Sequence, residues 1–328
     1  MVDLSAVDAP RRSPNPPEAV AVGPGVVRLL NSDTTWADNL VERIFLLDPQ
    51  AEACWTREHT LDSHIDVHVP DAATALRAAE CLLEELAAVK ADTDGTVRLD
   101  GATRSFAVLV RRALMTRVRV LALAEATIEE NTSGTIDEVV AHRLGQLALV
   151  SASETAVGDV EVEGRSVLGS DLCFRDEEAR VADFDLGVTL VHLRRGERFS
   201  AVVSARRGAA LEHAKFSAVA AVPVWARHVL TELPSPSVRK ALVEAGFGVG
   251  AGLELNRPDG QRVRPERAAE AVKPHGALRF REARSFELPL EPLGQLDSAS
   301  CVSAAVAAVS SEVEDFCVVL RGSAFCEA

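Results

Sequence analysis

The 328-residue sequence predicts an α+β fold of two related units, the second of which carries a long strand-rich insert. Strand and helix patterns alternate in both units, and the pattern of the second unit stops near residue 150 and resumes near residue 278. Hydrophobic residues make up 47% of the chain and charged residues 26%, a balance typical of folded globular proteins. We therefore expect a disordered leader over 1–22, a first unit over 23–92, a second unit over 93–150 plus 278–328, and an insert over 151–277.

The first unit reads as strand, helix, two strands, helix. A short apolar strand begins at Val26, and the polar run 31–35 supplies residues that favour helix N-caps. Apolar side chains then recur at helical spacing and predict one buried face. They are Trp36, Leu40, Ile44 and Leu47. Two strands over 53–59 and 63–69 follow, and Asp71 is placed to cap a helix that runs to about residue 90.

The second unit repeats this strand and helix character. It begins with a strand over 96–100, a helix centred on 106–114, a long strand over 118–130 and a helix over 135–144. After the insert, a strand over 285–290 leads to Asp297, which we expect to cap a helix from 298 to about 313. The order predicts two α/β sandwiches, each with a one-sided sheet.

Charge and cysteine content exclude several classes of protein. A net charge of −14 argues against a protein that coats nucleic acid or binds it directly, because phosphate binding needs concentrated Lys and Arg. The six cysteines are dispersed without any C-x-x-C pair, which excludes the common zinc-ribbon and iron–sulfur spacings. There is no signal-peptide pattern, and the longest apolar run, 216–226, is far shorter than the roughly 20 residues that span a bilayer. We expect an intracellular protein that does not enter membranes.

One group of side chains has the composition of a metal site. Asp62, His64, Asp66 and His68 alternate along a predicted strand, so that all four point to the same face. Imidazole and carboxylate groups at this spacing are able to hold a divalent cation. The alternative is a solvated sheet face opposite the apolar residues 65 and 67.

Other chemical signals are weaker. Glycines alternate over 246–252, but they follow a helix-like stretch and do not complete a dinucleotide-binding loop, so a turn is the expected structure. His142 lies close to Asp137 and Glu138 and is either a general base or a hydrogen-bonded helix residue. The paired arginines at 111–112 and 206–207 bind either phosphate or carboxylates.

The second unit resembles a known family. Residues 127–149 (TIEENTSGTIDEVVAHRLGQLAL) are similar to the signature of the third-largest subunit of eukaryotic RNA polymerases, of its archaeal D-type counterpart and, more remotely, of the bacterial alpha N-terminal domain. Further blocks follow the family order, including its two-arginine helix and its "E-H-A-K-W-S" block. They are 107–118 (AVLVRRALMTRV), 191–197 (VHLRRGE), 205–218 (ARRGAALEHAKFSA) and 284–296 (RSFELPLEPLGQL).

The first unit resembles the small partner of that family. Residues 31–44 (NSDTTWADNLVERI) are similar to the start of the eleventh subunit of RNA polymerase II and of its archaeal L-type counterpart, and residues 57–61 (REHTL) occupy the place of its "V-x-H-P-L" segment. The resemblance implies both alpha-like subunits fused in one chain, a pseudo-dimer with the small partner first. Such fusions are associated with large DNA viruses.

The resemblance implies a non-catalytic assembly platform of a multisubunit DNA-dependent RNA polymerase. Its partners would be the two largest polymerase subunits and small assembly subunits, at the site of transcription in a nucleus or a cytoplasmic viral factory, with packaging in virions possible. No cofactor is expected: relatives carry zinc or iron–sulfur sites in the insert, whereas the insert here contains only Cys173.

The resemblance also implies two sets of interface residues. The set expected to contact a large subunit, called the docking set, comprises Arg112, Glu138, His142, Arg143, Arg206, Gly208, Glu212, His213, Lys215 and Phe216. The set expected to pair the two units within the chain comprises Trp36, Leu40, Ile44, Phe106, Leu109 and Ala113. For the docking set, a role in folding is an equal alternative. If docking prevails, replacing Lys215 by Glu together with Phe216 by Ala should spare folding and weaken capture of the large subunit.

Two other functions remain open at the level of sequence. The chain is either such a platform, a stand-alone regulator that binds polymerase components, or a metal-dependent enzyme that uses His64, Asp66 and His68. Copy number in the polymerase distinguishes the first two, and metal analysis tests the third.

Overall fold

The computed structural model describes residues 18–23, 25–30, 34–58, 64–69, 71–250, 252–257 and 263–322. Most of the expected leader, the cap candidates 31–33, Asp62 and the last residues of the chain, 323–328, lie outside the described residues. Within those ranges, no helix is both long and apolar enough to cross a membrane.

The first unit packs two helices on one antiparallel sheet. Its elements are β1 (Glu18–Gly23), β2 (Val26–Leu30), α1 (Thr34–Leu47), β3 (Cys54–Glu58), β4 (His64–His68) and α2 (Ala72–Ala88). The strands lie in the order β1-β2-β4-β3. The expected leader is wrong for residues 18–22, because these residues pair with β2 as an edge strand. An edge strand tolerates a neighbouring proline-rich sequence, since it needs ladder hydrogen bonds on one side only.

The helices of this unit follow their sequence signals closely. Asp71 caps α2 as expected, its carboxylate accepting hydrogen bonds from the backbone N–H groups of Ala73 and Thr74. Leu40 and Ile44 are fully buried on α1. Leu47 is 42% exposed, however, so its assignment to the buried face is wrong. The helix ends at this residue, and the whole last turn, residues 45–47, is exposed.

The second unit begins with four elements at the expected places. They are β5 (Thr96–Asp100), α3 (Arg104–Thr116), β6 (Arg119–Asn131) and α4 (Asp137–Gly145). A tight turn joins β5 to the first unit. In it, Gly95 has the positive φ of 77° that glycine adopts freely, and Arg98 forms ion pairs with Asp92 and Asp94. The connection between the units is therefore short and internally bonded.

The insert is rich in short strands, as expected, and adds two helices. It follows the short strand β7 (Leu149–Val150) of the second unit and contains β8 (Thr155–Glu163), β9 (Val167–Leu168), β10 (Cys173–Phe174), β11 (Arg180–Val181), β12 (Thr189–Val191), β13 (Arg198–Ala209), β14 (Trp225–Leu230), α5 (Pro236–Glu244), β15 (Gly248–Val249), β16 (Leu255–Asn256) and α6 (Pro265–Val272). Strand β13 pairs along most of β6 in the sheet β10-β8-β13-β6. The insert and the second unit thus share a sheet.

The last two elements of the described residues are β17 (Phe280–Pro289) and α7 (Ser298–Arg321). Strand β17 lies between β14 and β5 in a three-stranded sheet. Asp297 caps α7 as expected, but the helix continues well past residue 313. Its buried stripe extends through Phe316 and Leu320, and this packing stabilises the extra turns.

One buried cluster contains residues from both units. It joins the inner face of the first sheet, the four helices α1, α2, α3 and α7, and the inner face of the sheet β14-β17-β5. Helix α1 packs on α3, and α2 packs on α7. A second cluster lies under the sheet of β6, β8 and β13, and a third lies between α5 and α6.

Candidate assembly site

The six residues expected to pair the two units all lie in this shared cluster. Each is buried, with at most 4% of its surface exposed. They are Trp36, Leu40, Ile44, Phe106, Leu109 and Ala113. The ring of Trp36 meets Phe316 of α7 edge to face, with 5.2 Å between the ring centroids. Helix α1 packs on α3, so these side chains lie where helices of the two units meet, and their role in pairing two alpha-like units stays a prediction.

Two polar residues in the same contact were missed from sequence. Asn39 is fully buried and Arg43 is 4% exposed, and both lie on α1 beside the apolar stripe. The Nδ2 group of Asn39 donates a hydrogen bond to the carbonyl oxygen of Ser105, 2.8 Å away in the second unit. Their spacing of four residues places both on one side of α1 beside the apolar stripe, but nothing in the sequence distinguishes that side from one that faces solvent.

Several residues of the docking set form an inward-facing cluster around Phe216. This side chain is fully buried, and a β-carbon placed on Gly208 would lie 2.8 Å from its ring. The guanidinium carbon of Arg206 lies 4.8 Å from the ring centroid, and the Lys215 ammonium nitrogen lies 5.3 Å from it. The expectation that replacing Phe216 by Ala spares folding is wrong, because the change would empty a filled core position.

Two further members of the docking set support the turn that carries Phe216. Glu212 accepts a hydrogen bond from Arg206 at 3.0 Å and another from the backbone N–H of Ala209 at 3.1 Å. The Nδ1 atom of His213 accepts a hydrogen bond from the backbone N–H of Lys215 at 3.1 Å. These contacts give both side chains a local role in holding the turn.

The remaining members of the docking set are exposed. Arg112 lies on the solvent side of α3, while its neighbour Arg111 turns inward and donates to the carbonyl oxygen of Val222 at 2.8 Å. The other three are Glu138, His142 and Arg143, all on α4.

Helix α4 presents these groups together on its outer surface. Val140 and Leu144 bury the opposite side against the core of the insert. Two apolar side chains are also exposed beside the polar ones, Ile136 by 64% and Val139 by 38%. We call the surface formed by Ile136, Glu138, Val139, His142 and Arg143 the α4 face. It combines apolar area with both signs of charge, a composition that suits contact with another protein.

The α4 face is held firmly on the fold. The Nη1 group of Arg143 donates to the carbonyl oxygen of Leu190, 2.7 Å away on β12. At the start of the helix, the Nδ2 group of Asn131 donates to Asp137 Oδ1 at 2.6 Å and to the carbonyl oxygen of Thr135 at 2.8 Å. A surface anchored at both ends needs little reordering when it binds a partner.

One of the candidate metal residues, Asp66, forms an ion pair with an arginine. Arg28 donates two hydrogen bonds to Asp66, at 2.7 and 2.8 Å, and this contact holds the pKa of that carboxyl below its ordinary value. His64 is buried, not solvated, and its Nε2 atom lies 3.8 Å from Asp66 Oδ2. In the described part of the chain, no group of three His, Cys, Asp or Glu side chains is placed to hold a metal ion.

The glycine run forms a small hairpin, as the turn interpretation predicts. Gly248 and Val249 pair with Leu255 and Asn256. The hairpin borders a cavity of about 510 Å³ against the outer face of the sheet β14-β17-β5. Arg227, which lines this cavity, pairs with Glu287 at 2.9 Å, so its charge is already matched within the fold.

The fold is α+β, and the α4 face is an exposed surface of mixed apolar and charged side chains. Comparison with characterised proteins finds similarity to subunits of RNA polymerases. The chain is 25% identical over 261 residues to the DNA-directed RNA polymerase subunit Rpo3 of Aeropyrum pernix, which covers 67% of this chain and 89% of the relative. It is 29% identical over 209 residues to Rpo3 of Natronomonas pharaonis, covering 59% of this chain and 83% of the relative.

A third relative is matched over a shorter stretch. The chain is 28% identical over 140 residues to Rpo3 of Pyrococcus horikoshii, covering 39% of this chain and 53% of the relative, so it spans about half the length of that protein. No profile of a known protein family matches the chain. The similarities support an alpha-like RNA polymerase subunit, and the mixed helix and strand structure is consistent with one.

Proposed function

We propose that this chain is a non-catalytic assembly subunit of a multisubunit DNA-dependent RNA polymerase, and that it replaces the alpha-like heterodimer on which the two large subunits assemble. The observation that carries the proposal is the similarity to three Rpo3 proteins, two of them along more than four fifths of their length. The core that joins the two units within one chain supports the fused pair.

Fusion of the pair has a clear physical consequence. A tether turns a bimolecular pairing into an intramolecular one, with an effective concentration in the millimolar range for short linkers. The connection here is a bonded turn, in which Asp92 donates its backbone N–H to the carbonyl oxygen of Thr96 at 2.9 Å. The two units are thereby held ready to pair as soon as both have folded.

Burial separates the docking set into two groups. Phe216 and Gly208 face inward and serve the fold, whereas the α4 face is exposed and anchored. We therefore assign docking of a large subunit to the α4 face, with Arg112 as a further exposed member of the docking set. The apolar residues of the α4 face, Ile136 and Val139, supply the apolar area that a protein interface buries at its centre.

The proposal extends to partners, setting and cofactors. The partners are the two largest subunits and small assembly subunits of the polymerase, and the setting is transcription by a large DNA virus, in a nucleus or a viral factory, with the enzyme carried in virions. The proposal includes no cofactor, because the insert has a single cysteine, Cys173, too few for the zinc or iron–sulfur sites of relatives. If the chain were instead a stand-alone regulator, purified polymerase would contain fewer copies of this chain than of the large subunits.

A matched pair of substitutions tests the docking assignment. Val139→Glu places a charge in the centre of the α4 face, while Val243→Glu makes the same change at a 64% exposed position of α5. Capture of the large subunits by the tagged full chain should fall about tenfold or more for Val139→Glu, since a charge buried without a partner disrupts an interface. The control should bind as the wild type does.

The thermal midpoint separates lost docking from lost folding. Both positions are exposed, so both variants should melt within about 2 °C of the wild type. Equal capture by wild type and Val139→Glu would contradict the assignment of docking to the α4 face.

A further inference from the structure

The contact between α1 and α3 holds charged and polar groups inside an otherwise apolar cluster. Arg43 is 4% exposed and Asn39 is fully buried, at a place where Leu40 and Phe106 complete the surrounding core. Burying a guanidinium requires that its charge and its N–H groups find partners. The arrangement of those partners indicates what the network does.

Arg43 is held by its own unit on one side and by the second unit on the other. Its Nη1 group donates to Asn39 Oδ1 at 2.9 Å, and its Nη2 group donates to Glu85 Oε2 at 2.5 Å. The guanidinium carbon lies 5.3 Å from the ring centroid of Phe106, which belongs to α3. The second unit thus supplies an aromatic face to a buried cation, an attractive contact of the cation–π type.

Three more side chains link α1 to the start of α3. Glu42 Oε2 accepts a hydrogen bond from the Thr103 hydroxyl at 3.1 Å and another from the Ser105 hydroxyl. Thr103 is the N-cap of α3, so the Glu42 carboxylate lies at the positive end of that helix dipole. The Nδ2 group of Asn39 donates to the Ser105 carbonyl oxygen at 2.8 Å.

These contacts are complementary to α3 and not to a second α1. Pairing of two first units about a twofold axis would set α1 against α1, because such an interface presents the same surface on both sides. Arg43 would then lose the ring of Phe106, and Glu42 would lose the N-terminus of α3, because both belong to the second unit only. Charged groups left in a core without such partners are strongly disfavoured.

We propose that the network of Asn39, Glu42 and Arg43 determines the specificity of unit pairing: it admits the α3 surface of the second unit and rejects a second copy of the first unit. This inference rests on the proposed function, in which the two units are an alpha-like pair. A buried ionic network contributes little net stability compared with apolar packing, and its attested use is to set register and partner choice. Specificity of this kind works by penalising the wrong partner.

The test cuts the connection between the two units and measures which fragments then pair. A protease recognition sequence inserted after Thr93, in the exposed connecting turn, allows the folded full chain to be cut between the units. Native mass spectrometry of the cut protein then counts pairs of unlike fragments and pairs of two N-terminal fragments. The variants are Arg43→Met, which keeps apolar volume without charge, and Glu42→Gln, which keeps shape and alters charge alone.

Cut wild-type protein should consist almost entirely of pairs of unlike fragments, with a small fraction of pairs of N-terminal fragments, and this fraction should be about tenfold larger in cut Arg43→Met. The matched control is Glu80→Gln, which alters the exposed ion pair of Glu80 with Arg321 on the α2–α7 side and should behave as the wild type. The same fraction of like pairs in all proteins, or separation of the variant fragments without like pairing, would overturn the proposal. Capture of the large subunits is scored separately, so its failure would count against the proposed function alone.

Discussion

Replacing Phe216 by alanine tests whether the cluster around it serves the fold. The ring is fully buried, rests on Gly208 and lies beneath two cations, Arg206 and Lys215. Truncating a core phenylalanine to alanine costs about 3–5 kcal/mol, because apolar burial is lost and a cavity remains. The two cation–π contacts, each worth about 0.5–1 kcal/mol at partly exposed sites, place the expected loss in the upper part of this range.

The assay is denaturant unfolding followed by circular dichroism, with a thermal melt alongside. A loss of this size should lower the melting midpoint by about 10 °C in units of 150–250 residues. Leu233→Ala is the control, since this side chain is 65% exposed and its removal should change the free energy of unfolding by no more than about 0.5 kcal/mol. A loss below about 1 kcal/mol for Phe216→Ala would refute the assignment of this cluster to folding.

Two further predictions concern titratable groups. Because Arg28 lowers the pKa of Asp66 in the folded state, this pair stabilises the fold above the unfolded pKa of the carboxyl, and its contribution is lost as pH falls through the lowered value. Asp66→Asn should therefore lower the free energy of unfolding by about 1–3 kcal/mol near neutral pH and by progressively less below pH 4. Urea unfolding measured across pH tests this, and a difference that does not change with pH would contradict the ion pair. Burial raises the pKa of Cys301 to about 11, so iodoacetamide near pH 8 should alkylate exposed Cys54 in the native protein long before Cys301. Peptide mass spectrometry measures both rates, and equal rates would show that reagent reaches Cys301 as easily as Cys54.

Local signals in the sequence predicted the elements whose causes are local. Asp71 and Asp297 cap the helices that follow them, because an aspartate before an amphipathic stretch satisfies the first backbone N–H groups. The buried helix faces containing Leu40 and Leu109 were also predicted, since the apolar residues follow the helical repeat. The C-terminal end of α7 was not predicted, because Glu312 and Asp315 interrupt the apolar composition although the buried stripe continues past them.

The features that the sequence did not reveal depend on distant parts of the chain. For Phe216 the sequence left docking and folding as equal alternatives, and its burial depends on Gly208, which leaves room for the ring. Asn39 and Arg43 look like solvent-facing residues until α3 covers them. For the α4 face, the resemblance identified its charged groups, but the exposure of Val139 became apparent only when the buried side of the helix was known.

We propose that this chain assembles with the two large subunits of an RNA polymerase in place of the alpha-like pair. The most direct measurement is purification of the tagged full chain from its native source, followed by mass spectrometry and stoichiometry of the proteins that remain bound at moderate salt. We expect two very large polymerase subunits, one copy of each per copy of this chain, and no separate small alpha-like subunit. Two copies of this chain, an additional small alpha-like subunit, or recovery of the chain alone would contradict it.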